Sequence, residues 1–322
     1  MTRVLVTGAA GFIGSHLVEA LSRQGDEIIG IDNFDPFYPR AMKERNLAEM
    51  GRLAGFTFHE LDLLDAARLQ SHLTPDTVLI HLAAKAGVRP SLADPVGYAR
   101  ANVAGTAAVA DAARGAGVSR ILFGSSSSVY GDSTPVPFRE DAIAIEPVSP
   151  YAATKRAGEL LLGSVAPIYG FRVASLRLFT VYGPRQRPDL AIHAFARKMV
   201  DGSTLTLFGD GTQARDYTYC DDIVAGVLAA LRWTEQAPVG LEHFNLGGNR
   251  VVPTGAMVDE IATALGITPK IEWAPMQPGD VQRTAADLTK SGALLGYAPR
   301  TPFPEGIRRF VAWFREAYGR SD

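Results

Sequence analysis

Short apolar runs alternate with segments of helical periodicity along the first 180 residues. The runs that predict strands are 4–6, 28–31, 56–61, 77–82, 120–124 and 172–178. Helical patterns follow several of them, including an Ala-rich stretch at 98–117 and a longer one that starts near Tyr151. Repeated strand–helix units of this length favour a parallel sheet with helices on both faces.

The pattern changes near Thr180, where we place the main domain transition. A helix at 221–233 and a strand at 242–246 then resemble a return to the first unit. We therefore predict an α/β fold with a doubly wound parallel sheet and a smaller mixed α/β C-terminal domain. The two interleave, the first comprising 1–179 and 216–248 and the second 180–215 and 249–322.

The first strand runs into a glycine turn. Gly8, Gly11 and Gly14 separate it from an apolar helical pattern, so a strand, a tight turn and a helix N-terminus follow one another. Backbone N–H groups in that geometry bind a dinucleotide pyrophosphate. The spacing is G-x-x-G-x-x-G rather than G-x-G-x-x-G, so the usual fingerprint is matched only loosely.

The second strand ends at Asp32, 18 residues after Gly14. An acid about 20 residues after the glycines accepts hydrogen bonds from the adenosine ribose. Because a carboxylate repels a 2′-phosphate, we prefer NAD over NADP. The alternative is that Asp32 only begins the turn that follows.

Composition narrows the class of protein. The 322 residues are 47% hydrophobic and 20% charged, with a formal net charge of −2, which is typical of a soluble globular protein. Scattered Lys and Arg give no footprint for nucleic acid or an anionic membrane, and no run reaches about 18 apolar residues. The single Cys220 excludes an internal disulfide and fits a reducing cytoplasm. We expect a cytoplasmic protein with no metal site.

Two stretches contain candidate catalytic or substrate-binding residues. The fifth strand delivers Ser125 to Ser128 to the carboxyl edge of the sheet, where four serines are either a plain loop or hydroxyl donors to a substrate. Further on, Tyr151 and Lys155 share one helix face at i, i+4. An ammonium beside a phenol lowers the phenol pKa from near 10, which makes Tyr151 a candidate general base.

Six motifs follow one another along the chain: the glycine turn, Asp32, the serines before Val-Tyr-Gly, Y-x-x-x-K, Tyr-Gly-Pro and G-D-G-x-Q-x-R-D-Y. Their order resembles that of the extended short-chain dehydrogenase/reductase family of nucleotide-sugar enzymes. The resemblance covers essentially the whole chain and implies a Rossmann fold with tightly bound NAD. It implies that Tyr151 is the catalytic base, that Lys155 lowers its pKa and holds the nicotinamide ribose, and that Ser126 is the third catalytic hydroxyl. The cofactor-binding positions it implies are Gly8, Gly11, Phe12, Ile13, Gly14, Asp32, Asn33, Asp62, Leu63, Leu82, Ala83, Ala84, Lys85, Asn102, Tyr151 and Lys155.

The two residues after Ser126 help to distinguish between the reactions that this family catalyses. Related 4,6-dehydratases carry an Asp-Glu pair there, and related decarboxylases commonly carry Glu two residues before the Tyr of Val-Tyr-Gly; this chain has Ser127 and Ser128. With no acid for chemistry at C5 or C6, we expect the 4-keto sugar to rotate and take hydride on its other face. That is epimerisation at C4.

The stretch F-T-V-Y-G-P-x-x-R-P-D is similar to that of UDP-glucuronate 4-epimerases, whereas UDP-glucose 4-epimerases usually have Asn at the position of Thr180. A hydroxyl and a guanidinium, Thr180 and Arg187, can bind a C6 carboxylate through charge-assisted hydrogen bonds. The same clamp would oppose loss of carbon dioxide from the intermediate. The alternative is that Arg187 is an exposed loop cation.

The remaining substrate contacts follow from the resemblance. Arg215 resembles the family's pyrophosphate-binding arginine and Asp280 its uridine-ribose contact, while Lys85 and Arg89 are candidates for phosphate. The family also tends to form homodimers through the helices that begin here near Tyr98 and Tyr151.

Three other functions stay open at this point. They are UDP-glucose/UDP-galactose epimerisation, UDP-glucuronate decarboxylation, and a non-catalytic NAD-binding regulatory role. The last predicts a lost catalytic residue, whereas Tyr151, Lys155 and Ser126 are all present.

Overall fold

The computed structural model describes residues 1–142, 146–248, 250–275 and 283–319. Its centre is a seven-stranded sheet of order β10-β6-β5-β4-β1-β2-β3, and each neighbouring pair is parallel. The strands are β1 Arg3–Thr7, β2 Glu27–Asp32, β3 Phe56–Glu60, β4 Val78–His81, β5 Arg120–Ser126, β6 Arg172–Leu178, β7 Thr180–Tyr182, β8 Leu205–Phe208, β9 Ala214–Tyr219, β10 Gly240–Leu246, β11 Val251–Pro253 and β12 Ile271–Ala274. The predicted doubly wound fold is confirmed.

Helices link the strands and cover the sheet. They are α1 Phe12–Arg23, α2 Arg40–Met50, α3 Ala66–Gln70, α4 Val88–Ala93, α5 Pro95–Tyr98, α6 Gly105–Gly115, α7 Pro150–Tyr169, α8 Ala191–Val200, α9 Cys220–Trp233, α10 Thr254–Leu265, α11 Thr289–Leu295 and α12 Phe303–Tyr318. A π-helix at Ala99–Ala104 and a 3₁₀ turn at Ser127–Tyr130 complete the set.

Both faces of the sheet are buried at its centre, which explains why β1 and β4 are almost continuously apolar, whereas the edge strand β3 is only partly buried. In β1, Val4 and Val6 pack into one cluster and Leu5 into the other, and all three are fully buried. The first cluster extends without a break to Phe310 and Phe314 of α12. The apolar core therefore runs from the large sheet into the C-terminal layer.

Two smaller sheets lie beside the large one. Strands β7, β9 and β11 form one, and β8 and β12 form the other. Helix α11 packs on α9 and β10, although the sequence pattern assigns 289–295 to the second domain. The interleaved division of the chain stays a prediction.

One predicted helix is divided into three parts. Instead of a single helix at 98–117, the chain forms α5, the π-helix and α6. Asp94 accepts a hydrogen bond from Gly97 N and caps α5. The buried Asn102 side chain accepts a hydrogen bond from Lys85 N and donates one to Lys85 O, so this segment follows tertiary contacts that periodicity does not register.

Phe310→Ala tests whether the C-terminal layer shares the core. Its ring is fully buried and packs with Phe314, Trp313 and His193. We expect a loss of about 3–5 kcal/mol in the free energy of unfolding, measured by urea denaturation. Leu294→Ala, at a side chain 51% exposed, is the control and should change it by under about 0.5 kcal/mol. Equal effects of the two substitutions would contradict the shared core.

Candidate active site

A cleft of about 690 Å³ opens at the carboxyl ends of the central strands. Strands β1 and β4 are neighbours there, and the chain proceeds outward from them in opposite directions. Open parallel sheets bind ligands at such a reversal of strand order. The cleft is therefore where this fold places a ligand.

The glycine turn forms the floor of the cleft. Gly8 has φ +74°, and a Cβ there would lie 2.9 Å from Ala83 N. A Cβ on Gly14 would overlap the Gly8 carbonyl oxygen. Helix α1 begins here without a side-chain cap and with no acidic residue in its first turn, so its N–H groups remain for an anion. These features fit the pyrophosphate of a dinucleotide.

Asp32 lies at the end of β2 on the cleft wall. Its Oδ1 accepts hydrogen bonds from Phe34 N at 2.8 Å and from Lys43 Nζ at 3.0 Å. The carboxylate thus does shape the following turn, as the alternative interpretation held. Because both bonds fall on Oδ1, Oδ2 carries neither of them and can accept from a ribose hydroxyl.

Further predicted cofactor positions share this cleft. Asp62 accepts hydrogen bonds from Asn33 Nδ2 at 3.1 Å and from Leu64 N at 2.9 Å. The predicted positions along the cleft are Gly8, Gly11, Phe12, Ile13, Gly14, Asp32, Asn33, Asp62, Leu63, Leu82, Ala83, Ala84 and Lys85. Asn102 is the exception, since it lies behind the wall, bonded to Lys85 and to Thr154 Oγ1 at 3.0 Å.

The candidate catalytic groups meet at the other end of the cleft, where Ser126, Ser127, Ser128, Tyr151 and Lys155 line it together. Ser128 N and Oγ both bond to Ser126 Oγ, at 3.2 and 3.0 Å. Ser149 caps α7 through Ala152 N, which fixes the helix start beside these serines. The serine run is therefore an ordered turn with its hydroxyls in the cleft.

The Tyr151 pKa follows from its surroundings. Burial raises it, while a hydrogen bond with Ser126 and the charge of Arg187 lower it. Lys155 Nζ donates instead to Gly124 O at 2.7 Å, and burial lowers its pKa to about 8. Ser126 and Arg187 therefore act on the phenol, whereas the sequence pointed to Lys155.

Thr180 and Arg187 also line the cleft. The Arg187 guanidinium is paired with Asp189 through two bonds of 3.0 and 2.9 Å, and it lies 5.4 Å from the Phe37 ring centroid. With 19% of its side chain exposed, it is not the solvated loop cation of the alternative interpretation. The charge of Arg187 lowers the pKa of Tyr151, so the candidate base and this cation face the same part of the cleft.

Two predicted substrate residues, Arg89 and Arg215, are not part of the lining of this cleft. Arg89 lies 5.3 Å from the Phe208 ring centroid, on the side of the smaller sheets. Arg215 is on β9, where its Nη1 donates to Ala214 O at 3.3 Å. Asp280 is outside the described residues.

Other lining residues escaped the sequence analysis, among them Tyr38, Lys43 and Arg100. Lys43 belongs to a helix with no apolar stripe, yet it is 7% exposed and paired with Asp32. The signal available was its place in the polar helix that follows Asp32. Tyr38 lies over the glycine turn, and burial raises its pKa.

Comparison with known proteins agrees with this geometry. The profile of the NAD dependent epimerase/dehydratase family matches residues 4–247. A UDP-glucuronate 4-epimerase of Thermodesulfobacterium geofontis is 37% identical, over 97% of this chain and 96% of that protein. No helix among the described residues is long and apolar enough to cross a membrane.

Solved structures show the same likeness. UDP-glucuronic acid 4-epimerase from Bacillus cereus, in complex with UDP-glucuronic acid and NAD, has a TM-score of 0.92 and 35% identity, covering 98% of this chain and 100% of that one. UDP-glucose 4-epimerase from Thermotoga maritima, with UDP-glucose, has a TM-score of 0.87 and 31% identity, covering 98% and 99%. This chain belongs to the NAD-dependent epimerase/dehydratase family.

Proposed function

We propose that this protein interconverts UDP-glucuronate and UDP-galacturonate by epimerisation at C4, with tightly held NAD that is regenerated in each cycle. The observation that carries the proposal is the convergence of Tyr151, Ser126 and Arg187 on one end of the cleft. A general base and a cation for a hexuronate carboxylate meet there. The likeness to UDP-glucuronate 4-epimerases supports the same substrate.

The residues along the cleft would hold the cofactor. The N–H groups of the glycine turn would bind its pyrophosphate, Asp32 its adenosine ribose, Asp62 and Leu63 its adenine, and Lys155 its nicotinamide ribose. NAD, when bound, accepts the C4 hydride and returns it. Asn102 supports this site from behind by fixing Lys85.

The chain's own residues move the proton. Tyr151 takes the proton of the sugar 4-hydroxyl and returns it after the 4-keto sugar has rotated in the site to present its other face. Ser126 hydrogen-bonds to Tyr151, which favours the phenolate. The charge of Lys155 supports the phenolate further once the site is assembled.

The polar groups around the sugar decide what happens to the ketone. Ser127 and Ser128 offer hydroxyls and no carboxylic acid, so they bind the sugar without eliminating water. Thr180 and Arg187 hold the C6 carboxylate in the plane of the ketone, which opposes decarboxylation. Asp189 keeps the Arg187 guanidinium oriented until the sugar carboxylate arrives.

The second domain, residues 180–215 and 249–322, binds the nucleotide sugar in this proposal. Arg215 contacts the diphosphate, Asp280 the uridine ribose, and Arg89 a phosphate from the rim. Residues 1–179 and 216–248 hold NAD. We place the enzyme in the cytoplasm.

UDP-glucose/UDP-galactose epimerisation is the second candidate. The observation that favours it is the Arg187–Asp189 ion pair, which already neutralises the cation at the sugar end of the cleft. A neutral sugar would leave that pair intact.

Incubation of the purified protein with UDP-glucuronate tests the reaction. We expect UDP-galacturonate, separated by ion-exchange chromatography, without added NAD. Tyr151→Phe removes one hydroxyl and should lower turnover by about 10²–10⁴-fold while NAD stays bound. UDP-xylose with carbon dioxide as the sole products would overturn the proposal, as would full activity of Tyr151→Phe.

Arg187→Ala tests the choice of substrate. Loss of a charge-assisted hydrogen bond costs about 1.5–3 kcal/mol, so kcat/KM for UDP-glucuronate should fall by about 10–150-fold. Turnover of UDP-glucose should fall by much less, because it loses only the effect of Arg187 on the Tyr151 pKa, and carbon dioxide should appear among the products of UDP-glucuronate. Arg197→Ala, on the exposed side of α8, is the matched control. Equal losses with both sugars would contradict a role of Arg187 in selecting the hexuronate, and an unchanged kcat/KM for UDP-glucuronate would favour the second candidate.

The structure also offers a face for a second copy of the chain, and we propose a homodimer through it. Leu160 and Ile168 of α7 are 59% and 74% exposed. Leu92 and Val96 lie on α4 and α5, which pack against α7, and are 62% and 78% exposed. Exposed apolar side chains gathered on packed helices mark association surfaces.

Leu160→Glu tests this dimer. A carboxylate placed in the apolar contact should shift the molar mass measured by light scattering from two chains to one. Leu294→Glu, a change of the same kind at a site 51% exposed on α11, should leave the mass unchanged. A wild-type protein that is monomeric at micromolar concentration would contradict the proposal.

A further inference from the structure

A buried carboxylate that the proposed chemistry does not use lies one helical turn behind Lys155. Glu159 is on α7 at i+4 from Lys155 and is 2% exposed. Side chains at this spacing have Cβ atoms about 5–6 Å apart on one helix face. The ammonium and the carboxylate are therefore neighbours inside the protein.

Both side chains bind the end of β5. Lys155 Nζ donates to Gly124 O at 2.7 Å, and Ser125 Oγ donates to Glu159 Oε1 at 2.7 Å. The next residue along the strand is Ser126, whose hydroxyl lies in the cleft. Helix α7 thus holds the strand end through two successive residues directly before the candidate catalytic serine.

Cations surround Glu159. From β6, Arg177 donates to it through Nε at 2.9 Å and Nη2 at 3.1 Å, and from α7 Arg156 donates through Nη1 at 2.9 Å. From β10, His243 Nδ1 lies 3.6 Å away, and burial lowers the pKa of this ring to about 4, so it is neutral. One carboxylate therefore faces Lys155 and two guanidinium groups.

The other groups near Lys155 bring no further negative charge at neutral pH. His81 of β4 is neutral because burial lowers its pKa to about 3. Phe123 lies 5.3 Å from the ammonium, and burial raises the pKa of Tyr151. Among the groups that face Lys155 in the described part of the chain, Glu159 is thus the negative charge that favours its ammonium form.

We propose that Glu159 is a positioning residue for the epimerase site: its carboxylate holds the Ser125 end of β5 in place beside Ser126 and keeps the buried Lys155 protonated. The inference rests on the proposed function, in which Lys155 acts as an ammonium.

The charges around Lys155 determine the direction in which its pKa moves when Glu159 is replaced. Burial lowers the pKa of Lys155, and Glu159 raises it. Activity that needs the ammonium is lost as pH rises through this pKa. Removal of the carboxylate leaves the effect of burial unopposed, so the alkaline limb of the activity profile should move to lower pH.

The experiment measures kcat and KM against pH with UDP-glucuronate for the wild type, Glu159→Gln and Arg156→Gln. Glu159→Gln should move the alkaline limb down by about 1 pH unit or more, with KM nearly unchanged. Arg156→Gln removes a competing cation, 25% exposed, and should move the limb upward by less. An unmoved limb in Glu159→Gln, or shifts of both variants in the same direction, would overturn the proposal.

A double variant keeps the proposal testable if Glu159→Gln does not fold. Glu159→Gln leaves the buried Arg177 without its carboxylate, so this variant is the one at risk of not folding. Glu159→Met with Arg177→Met removes the buried ion pair as a whole, and because Glu159 rather than Arg177 acts on the Lys155 pKa, its limb should still move to lower pH. An unmoved limb in this folded double variant would overturn the charge argument.

Lys155→Met separates the inference from the proposed function. Wild-type turnover and an unchanged alkaline limb in Lys155→Met would refute the role of Lys155 itself. Loss of turnover in Lys155→Met together with an unmoved limb in Glu159→Gln would refute only the role of Glu159.

Discussion

The site depends on the reversal of strand order between β1 and β4. These strands pair in parallel, with Thr7 beside His81, but the chain continues from β1 toward β2 and β3 and from β4 toward β5 and β6. The crossover helices consequently lie on opposite faces, and neither covers the sheet edge at this point. Polar backbone can face a ligand there without leaving buried groups unpaired. The glycine turn, the serine turn and the start of α7 all occur at this opening.

Local chemistry accounts for what the sequence predicted well. The central strands of the large sheet are apolar because both their faces are buried, and the glycine turn needs residues without a Cβ at Gly8 and Gly14. Tyr151 and Lys155 share a face because the helix repeat requires it. These properties belong to short segments, so a single sequence contains them.

Contacts between distant segments account for what it missed. Lys43 reaches the cleft through Asp32, and Asn102 is withdrawn from it by Lys85. The stretch 98–117 has helical composition throughout, and its division depends on partners far along the chain. Such pairings leave no periodic pattern in the sequence, yet they determine which side chains face the cleft.

The π-helix at Ala99–Ala104 has a consequence for how this site tolerates change. A π-helical turn holds one residue more than the α-helical path, and such bulges are frequent at functional sites. Deleting one residue from 99–101 would restore regular winding and rotate every side chain before the gap by about 100° relative to Asn102 and α6. Tyr98, whose hydroxyl donates to Ala86 O at 2.7 Å beside the cleft, would then face another direction. The segment should accept substitutions at exposed positions away from the cleft lining, such as Ala99, while its length stays fixed, so relatives that differ here in residue type are expected to keep the same residue count.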